Sequence, residues 1–384
     1  MKSIRQIIIK NLKRHDFKQG KVGNCGLIAS LAQLSQRPEF LKEIAPKIIY
    51  DKNSTQLQFK MFSRGKPTKV TVDHKLPLDD NKSLVYARSV RNDKFPLASY
   101  FEKAFVKKMC FSSYKICKST EPLYALMSFS DCMVNRATWE SEESKQGVIE
   151  YIKSEIENKS SLVLTLDKCI YDPQMKAYSA HAYAVIDYNC QYKAVKLYDP
   201  WCRPYERMNI SGEKLPRSLS VNANPAKGQF WVTIDELEKR WLGIASLHSK
   251  EMYKSTFKLN EQIHFSHLDR VKRKVVWKAV FEERSTFMIN FFSYSHEVTE
   301  LDLTVAIVGS EGHENVDLNY DLPHKRFISG TTGHVEKSSY FQKFELQPNS
   351  YEFSIVFETS EEDILDKIDD FFIKVGCTSE CAFS

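Results

Sequence analysis

Hydrophobic spacing in the first 110 residues predicts helices on either side of a β-hairpin. Residues 27–34 carry apolar side chains at the spacing of one buried helix face, and residues 40–49 suggest a second helix packed beside it. Apolar and polar residues then alternate over 57–61 and again over 70–72, which is typical of paired strands. Residues 97–109 return to helical spacing, and we expect this helix to support the first one.

The middle of the chain reads as richer in strands. Proline and small polar residues between Glu121 and Asn135 indicate a crossing between two lobes. After it, the pattern predicts a helix over 148–156, strands over 162–166, 180–187, 193–198 and 230–234, and a helix from Asp235. The crossing separates a helical lobe, residues 1–125, from a strand-rich lobe, residues 126–254.

Beyond residue 254 the chain has the texture of an all-β unit. Short runs of β-branched and aromatic residues alternate with Gly, Pro, Asn and Ser, which predicts a β-sandwich over 255–384. With 384 residues, 42% of them hydrophobic, the chain is long enough for several domains with buried cores. The predicted fold class is α+β.

Charge and targeting signals narrow the classes of function. The net charge of +6 is modest and the charged residues are interspersed, so nucleic acid is a poor candidate partner. The apolar stretch Ile7–Ile9 is too short for the core of a signal peptide, and no apolar run reaches the length of a transmembrane helix. We therefore expect a cytoplasmic protein.

The nine cysteines, an odd number without paired close spacings, indicate reduced thiols rather than a disulfide framework. Cys377 and Cys381, and His264 and His267, have short spacings but lack companion ligands at zinc spacing, so no metal site is expected.

Cys25 stands between glycines, directly before the first predicted helix. Unpaired N–H groups and the positive end of the dipole at a helix N-terminus favour a thiolate, the nucleophilic form of cysteine. Taken alone, Cys25 is better explained as a small buried hydrophobic residue, as most single cysteines in soluble proteins are.

His181 and Asp199 supply the partners that a nucleophilic thiol needs. If strands 180–187 and 193–198 form a hairpin with its turn centred on Cys190, His181 lies directly opposite Asp199. A cysteine, a histidine and an orienting carboxylate form an activated nucleophile. We expect Cys25 to attack a carbonyl, His181 to transfer the proton, and Asp199 to hold the imidazole.

Several motifs resemble those of the calpain family of cysteine proteases. The active-site motifs are matched by Gln19-Gly20…Gly23-Asn24-Cys25, His181-Ala182-Tyr183 and Asp199-Pro200-Trp201, and further similar stretches are 72–77, 95–105 and 228–232. The residue after Cys25 is not the tryptophan usual in conventional calpains, and the surrounding residues are more similar to the PalB-type branch.

The resemblance implies a papain-like two-lobe catalytic core followed by a C2-like β-sandwich. It also implies an oxyanion-hole role for Gln19, shielding of the histidine pair by Trp201, and cleft positions for Gly23 and Asn24. Read without the resemblance, Gln19 is a loop residue and Trp201 a core residue. The expected activity is limited proteolysis of protein substrates.

Some features depart from the family pattern. The third triad residue is normally asparagine and here is Asp199, and little sequence precedes Cys25 for an N-terminal docking module. No stretch resembles an EF-hand loop, so calcium activation through an EF-hand domain is not expected. Calcium sites in the catalytic core have no supporting motif either, and no cofactor is predicted. The basic cluster at 270–274 is better explained as solvated surface, and the functional alternatives are contact with an acidic membrane surface or a latch between domains. The PalB likeness implies endosomal coat components as partners and a location at the periphery of endosomal membranes.

Two other classes fit the same three residues. Transglutaminases and arylamine acetyltransferases use cysteine, histidine and aspartate in this order to pass an acyl group to an amine. A catalytically silent scaffold is the third class, and the presence of all three triad residues argues against it.

Overall fold

A computed structural model of the chain describes residues 17–51, 54–63, 66–90, 96–109, 113–118, 120–138, 142–166, 171–172, 177–178, 181–202, 228–234, 237, 241–248, 255–258, 266–267, 272–293, 302–309, 338–358, 371–379 and 381–383. The chain divides into two compact units, Met1–His248 and Ser249–Ser384. Among the described residues, no helix is both long enough and apolar enough to span a membrane.

The first part of unit 1 combines helices with a small sheet. In chain order its elements are α1 Cys25–Leu34, α2 Pro38–Ile44, β1 Lys47–Asp51, β2 Ser54–Ser63, β3 Lys66–Asp73, α3 Leu97–Lys108, a 3₁₀ helix at Tyr114–Cys117, and α4 Pro122–Phe129. The three strands form an antiparallel sheet in the order β1-β2-β3. The predicted hairpin and the helices at 27–34 and 97–109 are confirmed.

The helix predicted over 40–49 is wrong in its second half. Residues 47–51 form β1, in which Ile48 pairs with Leu57 of β2. Pro46 removes an N–H that a continuing helix would need, and β-branched Ile48 and Ile49 fit a pleated sheet. The sheet therefore overrides the helical spacing.

Aromatic side chains form the centre of this part of unit 1. The Phe101 ring of α3 makes edge-to-face contacts with three rings that are all fully buried, at centroid distances of 5.7 Å to Phe17, 5.0 Å to Phe59 and 5.7 Å to Phe129. Such contacts contribute about 0.5–1.5 kcal/mol each beyond area burial. They join α3, β2 and α4 to the segment that leads into α1.

The rest of unit 1 is built on a six-stranded antiparallel sheet. Its elements are β4 Val134–Thr138, α5 Glu142–Glu157, β5 Ser161–Leu166, β8 Ala182–Asn189, β9 Ala194–Tyr198, β10 Gln229–Thr233 and β11 Trp241–Leu247, with the short pair β6 Tyr171–Asp172 and β7 Ala177–Tyr178 apart from it. The strand order is β10-β9-β8-β5-β11-β4. Strands predicted at 162–166, 180–187, 193–198 and 230–234 are all present.

The region expected to cross between two lobes, residues 121–135, contains α4 over residues 122–129 and the start of β4 at Val134. Pro122 stands in the first turn of α4, where its missing N–H costs no hydrogen bond. Asp235, where a helix was predicted to begin, lies outside the described residues.

Helix α1 packs its small side chains against the six-stranded sheet. Ala29 and Ala32 lie in one buried cluster with Val163 of β5 and with Ala182 and Ala184 of β8. The Gln33 amide donates a hydrogen bond to the Val185 carbonyl. Because small residues let the helix approach closely, the first turn of α1 lies at the start of β8.

The described residues of unit 2 lie almost entirely in strands, which form two antiparallel sheets. The bounds are β12 Ser255–Lys258, β13 Ser266–His267, β14 Lys272–Phe281, β15 Ser285–Ser293, β16 Asp302–Gly309, β17 Ser338–Leu346, β18 Asn349–Glu358, β19 Phe371–Cys377 and β20 Cys381–Phe383. One sheet has the order β12-β19-β15-β17; the other has β13-β14-β18-β16, and β20 also pairs with β14. The predicted β-rich runs are strands, whereas Arg270 of the basic cluster lies outside the described residues.

Candidate active site

Cys25 is the first residue of α1, as predicted, and its side chain is partly exposed. Burial by itself raises the pKa of the Cys25 thiol. The hydrogen bond and positive charge of His181, together with the backbone N–H groups of Ala182 and Gly26, outweigh burial and lower the pKa below its ordinary value. The arrangement therefore favours a thiolate.

His181 lies directly before β8 and bridges Cys25 and Asp199. Its Nε2 is 2.7 Å from Asp199 Oδ1, and both side chains are almost completely buried. Burial lowers the pKa of the His181 imidazole, but hydrogen bonds to Asp199 and Cys25, and the negative charges of both, raise it well above its usual range. An imidazolium paired with a thiolate is the state that these contacts stabilise.

The predicted hairpin register is wrong, although the predicted contact is present. The turn occupies residues 190–193 rather than centring on Cys190, and a β-bulge lies between Val185 and Asp187. Ala184 pairs with Tyr198, so the ladder continues with Tyr183, not His181, opposite Asp199. His181 and Asp199 meet diagonally because both lie just beyond the ends of their strands.

Asp199 Oδ1 also accepts a hydrogen bond of 2.8 Å from the backbone N–H of Trp201. The Trp201 ring lies against the imidazole, with 4.4 Å between ring centroids, and the Tyr183 ring meets the imidazole edge-on at 4.8 Å. These two ring contacts restrict the orientation of the His181 imidazole.

Gln19 is buried and lies beside the segment that follows Asp199. Its backbone N–H donates to the Pro200 carbonyl at 2.8 Å, and its side-chain Nε2 donates to the Val22 carbonyl at 2.6 Å. An amide nitrogen carries two hydrogens, so one hydrogen remains for a further acceptor. The Val22 contact orients this amide within the loop that precedes Cys25.

Gly23 and Asn24, the two residues expected to line the cleft, differ in their exposure to solvent. Gly23 is exposed, and a Cβ atom added to it would lie 3.5 Å from Lys118 Cγ. Asn24 is fully buried, and its Nδ2 donates to Glu102 Oε1 at 2.6 Å. The Asn24 side chain therefore points into the protein, contrary to the expected cleft position, because it donates a hydrogen bond to the buried carboxylate of Glu102.

Glu102 is the residue near the site for which sequence reasoning gave no role. It is fully buried, and its two oxygens accept hydrogen bonds from Asn24 and from the Ala87 backbone. The available signal was its position on α3, where it stands four residues after Ala98 and three before Phe105, both buried. A charged residue on a buried helix face requires partners.

Within the part of the chain that the structure describes, no group of three His, Cys, Asp or Glu side chains is placed to hold a metal ion. The titratable side chains gathered at Cys25 are those of His181 and Asp199.

Comparison with known proteins agrees with this chemistry. The family model described as calpain family cysteine protease matches residues 1–245. The chain is 31% identical to mouse Calpain-12 over 127 residues, which are 33% of this chain and 17% of that protein. It is 25% identical to the human Calpain-2 catalytic subunit over 278 residues, 66% of this chain and 38% of that protein. The match thus spans less than two fifths of either relative, and over most of its own length the chain belongs to the calpain family of cysteine proteases.

Proposed function

We propose that this chain is a cysteine endopeptidase that performs limited proteolysis of protein substrates through Cys25, His181 and Asp199. The observation that supports the proposal best is the contact chain from thiol to imidazole to carboxylate, in which the pKa of Cys25 is lowered and that of His181 is raised. A thiolate beside an imidazolium is the reactive form of a thiol peptidase.

In the proposed reaction the Cys25 thiolate attacks the carbonyl carbon of a peptide bond, and the carbonyl oxygen becomes an oxyanion. The free N–H of the Gln19 amide and the backbone N–H of Cys25 stabilise that charge. His181 then gives its proton to the leaving amine as the C–N bond breaks, which leaves a thioester. The neutral imidazole takes a proton from water, whose oxygen attacks the thioester and releases the acid and the thiolate.

Asp199 orients the imidazole through Nε2, so that the other ring nitrogen serves Cys25. Trp201 excludes water from the His181–Asp199 contact, a role that its ring distance of 4.4 Å supports. Because Asp199 carries a charge where asparagine carries none, it stabilises the imidazolium as well as orienting it.

The C-terminal unit is proposed to be a C2-like β-sandwich. Its two antiparallel sheets support this, as does the contact between Phe281 of β14 and Phe287 of β15, whose ring centroids are 5.9 Å apart. Three further proposals are based on the sequence. They are membership of the PalB-type branch, a cytoplasmic location at the periphery of endosomal membranes, and activity without a cofactor.

Cys25→Ala tests the function. Full-length protein is incubated with a denatured protein, with and without calcium, and the products are identified by mass spectrometry. We expect the variant to fold and to retain less than about a thousandth of the wild-type rate, because only the oxyanion hole and substrate binding remain. Turnover close to wild type would refute the proposal.

The same assay separates the alternatives. Addition of an amine distinguishes hydrolysis from acyl transfer, since a transferase would yield mainly the amide. A silent scaffold would give no product, whether or not iodoacetamide labels Cys25.

A further inference from the structure

Helix α3 holds the backbone N–H and C=O of one residue, Ala87, with two polar side chains one turn apart. Ser99 Oγ donates to the Ala87 carbonyl, and Glu102 Oε2 accepts the Ala87 N–H at 2.9 Å. All three residues are buried. The helix thus supplies both partners of a backbone unit that has no place in a sheet.

The other oxygen of Glu102 holds the residue that precedes the nucleophile. Glu102 Oε1 accepts from Asn24 Nδ2 at 2.6 Å, and the Asn24 carbonyl accepts the Ile28 N–H at 3.2 Å, the first hydrogen bond of α1. The orientation of Asn24 therefore fixes where the helix begins. The Cys25 N–H and side chain follow directly from it.

The segment 85–88 that contains Ala87 in turn holds the segment 18–21. Lys18 and Arg88 exchange two backbone hydrogen bonds of 2.7 and 2.8 Å, and the Lys21 N–H donates to the Val85 carbonyl at 3.0 Å. Gly20 lies so close to the Tyr86 backbone that a Cβ atom would overlap it. The backbone position of Gln19 is consequently set by segment 85–88.

We propose that Glu102 is a positioning residue for the oxyanion hole, because one carboxylate fixes both of its donors: the Cys25 N–H through Asn24, and the Gln19 amide through segment 85–88. The inference rests on the proposed function. Glu102 does not touch the substrate.

A carboxylate suits this place because both groups that face it are donors. A glutamine would offer one acceptor oxygen and turn its own N–H₂ toward the second donor. Burial raises the pKa of Glu102 to about 7, against the opposing effect of the Ala87 N–H and the Asn24 amide. Tyr114 and Cys117 of the 3₁₀ helix also face it, and burial raises the pKa of both. They are therefore neutral.

The test is a reciprocal exchange. In Glu102→Gln the donors at 24 and 87 compete for one oxygen, and in Asn24→Asp two carboxyl groups meet. We expect each single change to lower kcat for a peptide about 10- to 100-fold, with a smaller effect on KM, as a slight misplacement of catalytic groups does. In the double variant the new amide at 102 donates to the new carboxylate at 24 and still accepts from Ala87. We expect it to recover to within about threefold of wild type.

Two further readouts separate positioning from general stability. A peptide aldehyde, whose adduct with Cys25 carries an oxyanion, should bind about tenfold or more weakly to Glu102→Gln. Alkylation of Cys25 by iodoacetamide, which forms no oxyanion, should change less than about threefold. Glu43→Gln is the matched control, since Glu43 on α2 pairs with Lys60 at 2.7 Å away from this loop. It should leave all rates unchanged.

The outcomes are distinct. Losses that multiply in the double variant, without recovery, overturn the role of Glu102, as does equal loss of alkylation and turnover. If Glu102→Gln fails to fold, Asn24→Ser removes the same amide donor, and unchanged turnover in it also overturns the role. Wild-type protein that is alkylated at Cys25 but cleaves no peptide refutes the proposed function instead, and this role with it.

Discussion

At the scale of single residues, the chemistry of the site depends on whether the His181 imidazole is protonated. The His181 imidazole lies between two negative groups, and without them burial would keep it neutral. Asp199 is fully buried and tied to the Trp201 N–H, so it cannot turn away from the imidazole without losing that bond. These contacts keep the Asp199 carboxylate beside the imidazole.

Asp199→Asn should therefore move the alkaline limb of kcat/KM to lower pH. The active ion pair is present below the pKa of His181 and is lost as pH rises through it, and asparagine supplies no charge to hold that pKa up. We expect a shift of roughly one pH unit, equal to about 1.4 kcal/mol. Asp187→Asn on the exposed end of β8 is the matched control. A limb that stays in place would show that Asp199 does not stabilise the imidazolium.

Gln19→Ala should lower kcat about 10²–10³-fold, because it removes one oxyanion donor. The pH profile and the alkylation of Cys25 should be preserved, since Gln19 does not contact the ion pair. Gln58→Ala on β2 controls for a loss of one glutamine elsewhere. An unchanged kcat would show that Gln19 is only a structural loop residue, whose amide donates to the Val22 carbonyl.

Glu102 should make the protein less stable as pH rises. Its pKa is about 7 when folded, against an ordinary value of 4.5. Between these values the folded state keeps a proton that the unfolded state has lost, so stability falls with rising pH through this window. The penalty reaches about 3 kcal/mol above pH 7. Urea unfolding at pH 5 and pH 8 should show the wild type losing about 2.5 kcal/mol relative to Glu102→Gln, since a small part of the penalty is already present at pH 5. Parallel losses would contradict the assignment.

At the scale of elements, the site forms where α1 meets the start of β8. The sequence predicted α1 and its first residue well, because apolar spacing and flanking glycines are local signals. It could not reveal the bulge in β8 or the four-residue turn after Asn189, since neither leaves a distinctive residue pattern. The His181–Asp199 contact was correct because a shift of two residues in register leaves them as diagonal neighbours, which remain within reach of each other's side chains.

Gly26→Ala should destabilise the protein by about 1–3 kcal/mol. Its Cβ would overlap the Thr120 carbonyl oxygen and lie 3.0 Å from Pro122 Cδ. Helix propensity alone predicts the opposite sign for this substitution, namely an increase of about 1 kcal/mol in stability. Thermal unfolding decides between them, and a raised Tm would show that α1 and the start of α4 are not held this closely.

At the scale of the whole molecule, the chain divides after His248, close to the boundary expected from the sequence at residue 255. The loss of helical spacing is visible in a sequence, whereas the arrangement of the described C-terminal strands into two sheets depends on pairings between distant residues. Strand existence was therefore predictable, and strand order was not.

Limited proteolysis should first cut the chain near residues 249–254. Connections between compact units make few contacts and are cut before strands are. Mass spectrometry of the early products should find fragments of about the two unit sizes. Early cuts scattered through 255–384 would contradict an independently folded C-terminal unit.

Because Cys25 precedes His181 by a long stretch of chain, the Cys25 thiol becomes reactive only late in the synthesis of the protein. The nucleophile leaves the ribosome well before the histidine and aspartate that lower its pKa, by about 10 to 30 s at synthesis rates of about 5–20 residues per second. During that interval the thiol lacks the imidazolium and the Ala182 N–H, and it behaves as an ordinary cysteine. A peptidase of the proposed kind would thus be unable to cut its neighbours on the same polysome until the sheet that carries His181 has closed onto α1.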